Sequence, residues 1–485
     1  MKDFIKIVTN WKTVLGIQGI ATIALLIALK VLDVLPIWLF IIVAVLLIAI
    51  LVGVAFLMKP VKGRGRKKAK TKNKLGKLLS LVLSIVMAIG TIYITKTQGF
   101  LNDLQSVGEI SRVSVMVMAD SEYDEVTDIK GQTIYADTTT SKDMMDEAVA
   151  ALEKEVSVTI KSTVDYSKMA NALYSGDVKA IFVDEACYAM LEADHENFES
   201  ETKVIWTYEY VNPESESTTK SVDVTKDSFV IYLSGIDTKG KVATRSRSDV
   251  NMLVTVNPTT HTILMSSIPR DYYVKLAKEN AYDKLTHSGL QGTSNTVKTV
   301  ENLLGIDINY YVRVNFTSVE KIVDALGGIT VTIPKDFTSG VDGTKFKKGT
   351  QTLNGSQALK FCRERYALGG DTGRVKNQQK VLKAMINKAI SPAILTKYTS
   401  VLKACDGYFE TDLTADDITS LIKAQISSGK GWTIENAVFS GKGTTKTGGY
   451  YIPNKKLYYM MPDSDSVSEN VLKIKKVKAG ESLSE

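Results

Sequence analysis

The chain has 485 residues, 44% hydrophobic and 23% charged, with a formal net charge of +7 and a mean hydropathy of 0.00. That length leaves room for several domains, and the apolar content excludes a disordered chain. Three cysteines and three histidines, with neither a CxxC nor an HExxH string, exclude a disulfide framework and the common zinc sites.

Three apolar runs open the chain. Thr13 to Val34 is broken only by Lys30 and Asp33, while Pro36 to Met58 and Leu78 to Thr95 hold no charge. Each is close to the ~20 residues that span ~30 Å of hydrocarbon. Three runs do not fit a signal peptide, and uncharged stretches this long are rare in soluble cores. Lys59 to Lys77 carries ten basic residues and no acidic one. The positive-inside rule puts that loop in the cytoplasm, along with Met1 to Lys12. Lys30 to Pro36 becomes a short outer turn, and everything after Thr95 is extracellular. Residues 1–77 hold 14 Lys+Arg against 2 Asp+Glu, which from totals of 60 and 53 leaves 46 against 51 for the rest. The positive charge therefore reports topology, and nucleic acid is not an expected partner. Outside the cell, an odd count of widely spaced cysteines implies at least one free thiol packed in a core.

From Val113 strands and helices alternate: strands at 113–118, 133–136, 156–160 and 178–183, and helices at 141–155 and 166–173. This predicts a small α/β domain from about Ser111 to Val211. Its strings Asp128-Ile-Lys-Gly-Gln-Thr133 and Ala180-Ile-Phe-Val-Asp184 resemble one lobe of a solute-binding protein; a spacer or docking domain without ligand has equal standing. Asn212 to Thr219 reads as a linker.

Charged residues then gather. Ser228 to Leu233 is a strand leading to Asp237. Asp249 to Val256 and His261 to Ile268 form a tight hairpin across Asn257-Pro-Thr-Thr260. Pairing Val256 with His261 sets Asp249 opposite Ile268 and Arg247 opposite Arg270, so Arg247, Asp249, Arg270 and Asp271 meet at its open end. Helices follow at 295–304 and 319–326, with strands at 310–316 and 329–333. Arg363 and Arg365 share a face if their segment is extended. Gly369 to Arg374 is a loop entering a helix at 375–390, in which Arg374 and Gln378 lie in line with Leu382, Met385 and Ala389. Guanidinium forks match phosphate oxygens, and carboxylates beside them suit Mg²⁺ or a base. Phosphoryl transfer or diphosphate cleavage is the chemistry suggested, with surface ion pairs as the plain alternative. His195, His261 and His287 have no evident partners.

Arg247-Ser-Asp-Val-Asn-Met-Leu-Val-Thr-Val-Asn-Pro258, Ser267-Ile-Pro-Arg-Asp271, Val300-Glu-Asn-Leu-Leu-Gly305, Val323-Asp-Ala-Leu-Gly-Gly328 and Asp371-Thr-Gly-Arg374 with Gln378 resemble, in order, the motifs of the LytR–CpsA–Psr family. Three spans and an α/β insert ahead of them look like its streptococcal capsular-polysaccharide branch. The resemblance implies an α/β fold: an extracellular mixed-sheet catalytic domain at 226–462 and a small accessory domain at 96–225. A three-helix membrane region at 1–95 precedes them, and a flexible tail at 463–485 follows. It implies a phosphotransferase moving a glycopolymer from a polyprenyl-diphosphate carrier to peptidoglycan, with other capsule-assembly proteins as candidate partners. Asp237 and Asp249 would hold Mg²⁺. Arg247, Arg270, Arg363, Arg365, Arg374, Gln378 and Lys284 would bind the diphosphate, and Asp371 would deprotonate the acceptor hydroxyl. Arg270 and Asp249 count among the catalytic set. The polyprenyl tail would lie in an apolar tunnel between the sheet and the helices at 295–304 and 319–326. A membrane-anchored transcriptional attenuator and a non-catalytic lipid-binding component are the alternatives.

Overall fold

The computed structural model describes residues 10–59, 66–103, 110–211, 219–236, 245–340, 342–391, 397–405 and 407–483. Asp237, the linker at 212–218, residues 1–9 and residues 60–65 of the basic loop lie outside the described residues. The chain divides into two compact units. One comprises Met1–Asp103, Ile390–Lys403 and Thr414–Gly431, the other Leu104–Ala389, Ala404–Leu413 and Trp432–Glu485.

The first unit is built on α1 (Trp11–Leu32), α2 (Ile37–Met58) and α3 (Arg66–Asp103). By length and apolarity, α1, α2 and the Asn73–Gly99 part of α3 can each cross a membrane. Their surfaces are inverted relative to a soluble protein: Ile20 is 71% and Phe56 68% exposed, while Gln18, Thr22, Ser80 and Ser84 are buried. Ser80 Oγ donates to Gln18 Oε1 at 2.7 Å, and Thr22 Oγ1 donates to the Gln18 carbonyl at 2.8 Å. In hydrocarbon, polar side chains find partners on neighbouring helices or on their own backbone, as these do. The later half of the basic loop is helical rather than irregular, because α3 begins at Arg66. Lys and Arg are good helix formers, so the correction leaves the charge bias intact.

In the second unit, β1 (Ile110–Met118), β2 (Thr133–Ala136), β3 (Thr159–Ser162), β4 (Ala180–Asp184) and β5 (Thr202–Val211) form a sheet in the order β3-β2-β4-β1-β5. β2 runs parallel to β3 and β4, and β1 antiparallel to β4 and β5. Strand alternation divides β1 between two faces. Val113, Val115 and Val117 pack with Met144, Ala148 and Leu152 of α4 (Lys142–Glu155). Met116 packs with Met169 and Leu173 of α5 (Tyr166–Ser175). Every element expected here is present; β3 starts after Val156 because that residue closes α4, its N–H bonding the Leu152 carbonyl.

The larger sheet contains β6 (Phe229–Ile236), β7 (Ser248–Asn257) and β8 (Thr262–Ile268), followed by the small pair β9 (Tyr273–Lys275) and β10 (Tyr282–Lys284). Then come α6 (Thr293–Leu304), β11 (Tyr310–Asn315), α7 (Phe316–Ala325), β12 (Ile329–Ile333), β13 (Phe337–Thr338), β14 (Lys345–Phe346) and β15 (Gly349–Leu353). α8 (Gly355–Arg363), α9 (Gly370–Ala389), α10 (Tyr398–Cys405), β16 (Phe409–Thr411), α11 (Ala415–Ser428), β17 (Thr433–Val438), β18 (Gly441–Lys446), β19 (Leu457–Pro462) and α12 (Ser464–Ala479) complete the chain. The sheet order is β16-β11-β6-β7-β8-β17, with β11/β6 and β8/β17 parallel. One core holds Val230, Tyr232, Leu253 and Leu264 of the strands with Val297 and Val300 of α6 and Ile474 and Val477 of α12. It runs on without a break into Met116 of the first sheet and Met169 and Leu173 of α5.

The tail is a correction. Residues 464–479, expected to be flexible, form a helix capped by Asp463 whose Ile474 and Val477 are buried. Its apolar positions are sparse, so local polarity hid a face that only the sheet covers. Residues 414–431, which hold α11, group by contacts with the first unit.

Candidate active site

The site forms where β6 and β11 end and β7 begins, with Ile236 paired to both Ser248 and Asn315. Beneath it lies a buried hydroxyl network: Ser248 Oγ is 2.9 Å from the Tyr232 hydroxyl and 2.8 Å from Ser234 Oγ.

The hairpin register differs from expectation by two residues. Val256 pairs with Ile263 and Asn257 with Thr262. Asn257 is the cause: its Oδ1 accepts from the N–H groups of Thr259 and Thr260, each at 3.1 Å, and His261 takes φ of 54°. This side-chain-closed turn uses four residues, 258 to 261. A slip of two preserves the faces, yet it brings Arg270 instead of Ile268 to Asp249. Arg270 Nη1 donates to Asp249 Oδ1 at 2.8 Å, and Thr286 Oγ1 donates to the same oxygen at 3.1 Å.

Around this pair the other residues assemble. Lys284 Nζ lies 3.0 Å from Asp271 Oδ1, and Arg270 Nε is 3.7 Å from Asp271 Oδ2. Asp371 meets Arg374 at 2.7 Å and Arg365 at 3.7 Å. Burial pushes the Asp249 carboxyl upward, but Arg270 and Arg247 outweigh it and hold the group below its ordinary value. Burial opposes the charge on Arg270, which Asp249 and Asp271 more than restore. Arg374 is pulled down by burial and by the like charges of Arg365 and Arg270, against the attraction of Asp371. Like charges gathered in this way favour an anion beside them. Two donors are free for one: Arg270 Nε and Arg374 Nε are buried and have no hydrogen-bond acceptor.

Some expected placements change. Residues 355–363 are helical, not extended, so Arg363 and Arg365 do not share a strand face; Arg363 lies over the Phe316 ring at 4.3 Å, at the end of β11. Asp371 sits in the first turn of α9 rather than in a loop, after Gly369 and Gly370, whose φ values are 95° and 69°. On α9 the buried positions are Gly373, Asn377, Gln379 and Val381. Gln378, Leu382 and Met385 are half-buried, and it is the neighbouring Gln379 that bonds Ser267 Oγ at 3.0 Å and the Ala437 carbonyl at 2.8 Å. On α6, Val297 and Val300 are buried in the core. His287 is not a surface residue: it is buried with Nδ1 3.0 Å from Asp283 Oδ1. All three cysteines are free, and burial pushes Cys362 and Cys405 up to about 12, which removes them as nucleophiles.

Thr286 was missed, and only its position two residues after Lys284 could have drawn attention to it. Among the described residues no three His, Cys, Asp or Glu side chains cluster as metal ligands. Mg²⁺ needs fewer, since it is held by one or two carboxylates plus substrate phosphates. Asp249, largely buried beside Arg270 and Thr286, is a carboxylate that could serve in that way.

A family model described as the LytR_cpsA_psr family matches residues 189–466. Polyisoprenyl-teichoic acid--peptidoglycan teichoic acid transferase TagU of Bacillus subtilis (strain 168) is 35% identical over 252 residues, 52% of this chain and 78% of the relative. The enzyme of that name from Bacillus licheniformis is 34% identical over 271 residues, 55% of this chain and 84% of its own. The crystal structure of B. subtilis TagV aligns at 30% identity with a TM-score of 0.45, covering 53% of this chain and 99% of TagV.

Proposed function

The chain belongs to the LytR_cpsA_psr family, and on that footing we propose that it is a membrane-anchored phosphotransferase moving a glycopolymer, capsular polysaccharide in our reading, from a polyprenyl-diphosphate carrier to peptidoglycan. One observation carries the proposal most: the buried, acceptor-free Nε groups of Arg270 and Arg374 beside the Asp249–Arg270 and Asp371–Arg374 pairs. That arrangement is suited to a dianionic diphosphate. The named relatives transfer teichoic acid to peptidoglycan, which supports the reaction class. The basic stretch at 59–77 supports a cytoplasmic loop, with residues after α3 outside the cell.

In this mechanism Arg270, Arg374, Arg247, Arg365 and Lys284 neutralise the diphosphate oxygens, and charge stabilisation supplies most of the acceleration. Asp249, with Asp237, would hold Mg²⁺, which when bound adds positive charge on the same oxygens. Asp371 accepts the proton of the acceptor hydroxyl. That oxygen then forms a bond to the sugar-proximal phosphorus, the bond from this phosphorus to the bridging oxygen breaks, and polyprenyl phosphate leaves with the electron pair.

The test supplies the full chain in detergent with a polyprenyl-diphosphate glycan, peptidoglycan and Mg²⁺. Linked product is expected from wild type and to fall by ~10²–10³ in Arg270→Ala. Absence of product with both a capsular and a teichoic donor sinks the transferase reading. Undiminished product in Asp249→Ala makes the site a lipid holder.

A further inference from the structure

A short helical segment, Leu285–Gln291, joins Lys284 to α6, and all seven of its residues are buried. It shapes the site from two sides. Thr286 Oγ1 donates to Asp249 at 3.1 Å, and the Thr286 N–H donates to the Arg270 carbonyl at 2.9 Å. Gly289 packs so closely on the backbone of Ser246 and Ser248, on either side of Arg247, that a Cβ has no room there. Thr286, His287, Ser288 and Gln291 are polar, so the place of the segment depends on the partners those buried groups find.

Both ends of the segment are tied to the β1–β5 domain. At the far end, Gln291 Oε1 accepts from Ser141 Oγ at 2.8 Å. Ser141 stands at the N-cap of α4, yet its side chain makes no capping bond to that helix. The hydroxyl that would ordinarily satisfy a free N–H of its own helix is turned across to Gln291 instead. At the near end, Asp283 is buried; its Oδ1 accepts from the Lys284 N–H at 2.7 Å and its Oδ2 from the Tyr451 N–H at 3.1 Å. The Tyr451 carbonyl accepts in turn from the Tyr166 N–H at 3.2 Å, and Asn454 Nδ2 donates to Asp165 Oδ2 at 2.8 Å. Thr140 Oγ1 lies 3.1 Å from the Tyr450 hydroxyl. Thr140 and Ser141 follow the end of β2, and Asp165 and Tyr166 follow the end of β3, its parallel neighbour. The carboxyl ends of parallel strands are where such sheets usually bind small ligands. Here residues of that edge bond the catalytic domain.

We propose that the β1–β5 domain is a positioning element of the active site. Ser141, through Gln291, and Asp165 and Tyr166, through residues 451–454, hold the 283–291 segment so that Lys284, Thr286 and Arg247 keep their places around Asp249. The domain is then a docking piece for its neighbour rather than a lobe for a free solute. Its catalytic meaning rests on the transferase reading, whereas the hold itself is measurable without turnover.

The experiment compares the full chain in detergent as wild type, Ser141→Ala, Ser141→Thr and the double variant Ser141→Ala/Asn454→Ala, which cuts both ends. Amide hydrogen exchange across 284–291 should rise at least ~5-fold in Ser141→Ala, the worth of one buried hydrogen bond, and further in the double variant, with β1 unchanged. The double variant should lose ~10-fold in kcat through misplaced groups, with KM for peptidoglycan unchanged. Ser141→Thr keeps the hydroxyl and should retain wild-type exchange and kcat. Wild-type exchange at 284–291 in the double variant, or raised exchange with undiminished kcat, overturns the proposal. A wild type that makes no product while the variants still loosen 284–291 sinks the transferase reading and leaves the hold standing.

Discussion

At the residue scale, the site is a balance of buried charges, and Asp249 is its most informative member. Its carboxyl is held below the ordinary value by Arg270 and Arg247 against the opposing effect of burial. A depressed carboxylate stabilises the fold above its unfolded pKa, and that contribution is lost as pH falls through the folded value. Replacing Arg270 by Gln removes the nearer counter-charge, so burial should lift Asp249. The acid limb of the pH–rate profile should then move to higher pH; an unmoved limb means Arg270 does not govern Asp249. Thr286→Val removes one donor to Asp249 and should cost about 1 kcal/mol of its stabilisation. A smaller shift of the same limb would report it, with the melting temperature nearly unchanged. The charged residue types were legible in the sequence because they are rare at strand ends. Their partners were not: Lys284 with Asp271 and Thr286 with Asp249 join residues 13 and 37 positions apart.

At the element scale, periodicity served well. The strands and helices that apolar spacing placed stand close to where it put them, because spacing is a local property, whereas β5, β16 and β17 went unplaced. Register was lost by two residues because Asn257 closes the hairpin with its side chain, a choice that alternation does not reveal. The helix at 355–363 was missed although Asn354, whose side chain accepts the Gln357 N–H, opens it with a capping box that the sequence displays. Packing between elements makes a further demand at residues 285–291. A Cβ on Gly289 would stand 2.5 Å from the Ser246 carbonyl oxygen and 2.8 Å from the Ser248 nitrogen, both backbone. Gly289→Ala should therefore displace the segment bearing Arg247 and destabilise the protein by about 1–3 kcal/mol. Calorimetry should show a lowered melting temperature, with transferase activity falling more than stability alone explains; unchanged melting contradicts the close approach.

At the scale of the whole molecule, the shared core is the main finding. Met116 of the first sheet and Met169 and Leu173 of α5 lie in the same apolar cluster as Val230, Leu253 and Ile474. Ser141 Oγ also donates to Gln291 Oε1 at 2.8 Å, and the Tyr166 N–H to the Tyr451 carbonyl at 3.2 Å. A variant lacking residues 110–211 should expose that surface and aggregate, and the two sheets of the intact chain should unfold in urea as one transition. Two separated transitions, or a soluble monomeric deletion variant, would refute the shared core. Composition suggested two domains here because each sheet has its own alternating pattern, and nothing in such a pattern marks where two cores fuse.

By itself the sequence determined the three apolar helices, the strands and helices with a clear apolar period, and the set of arginines and aspartates from which the site is made. Hydrophobic period, charge bias and ordered motifs are carried by near neighbours in the chain. Tertiary structure alone decided that Arg270 faces Asp249, that Arg270 and Arg374 keep buried donors free, and that 464–479 is a helix. Each of these depends on contacts between residues far apart in sequence, whose free energy is settled only when the chain has closed on itself.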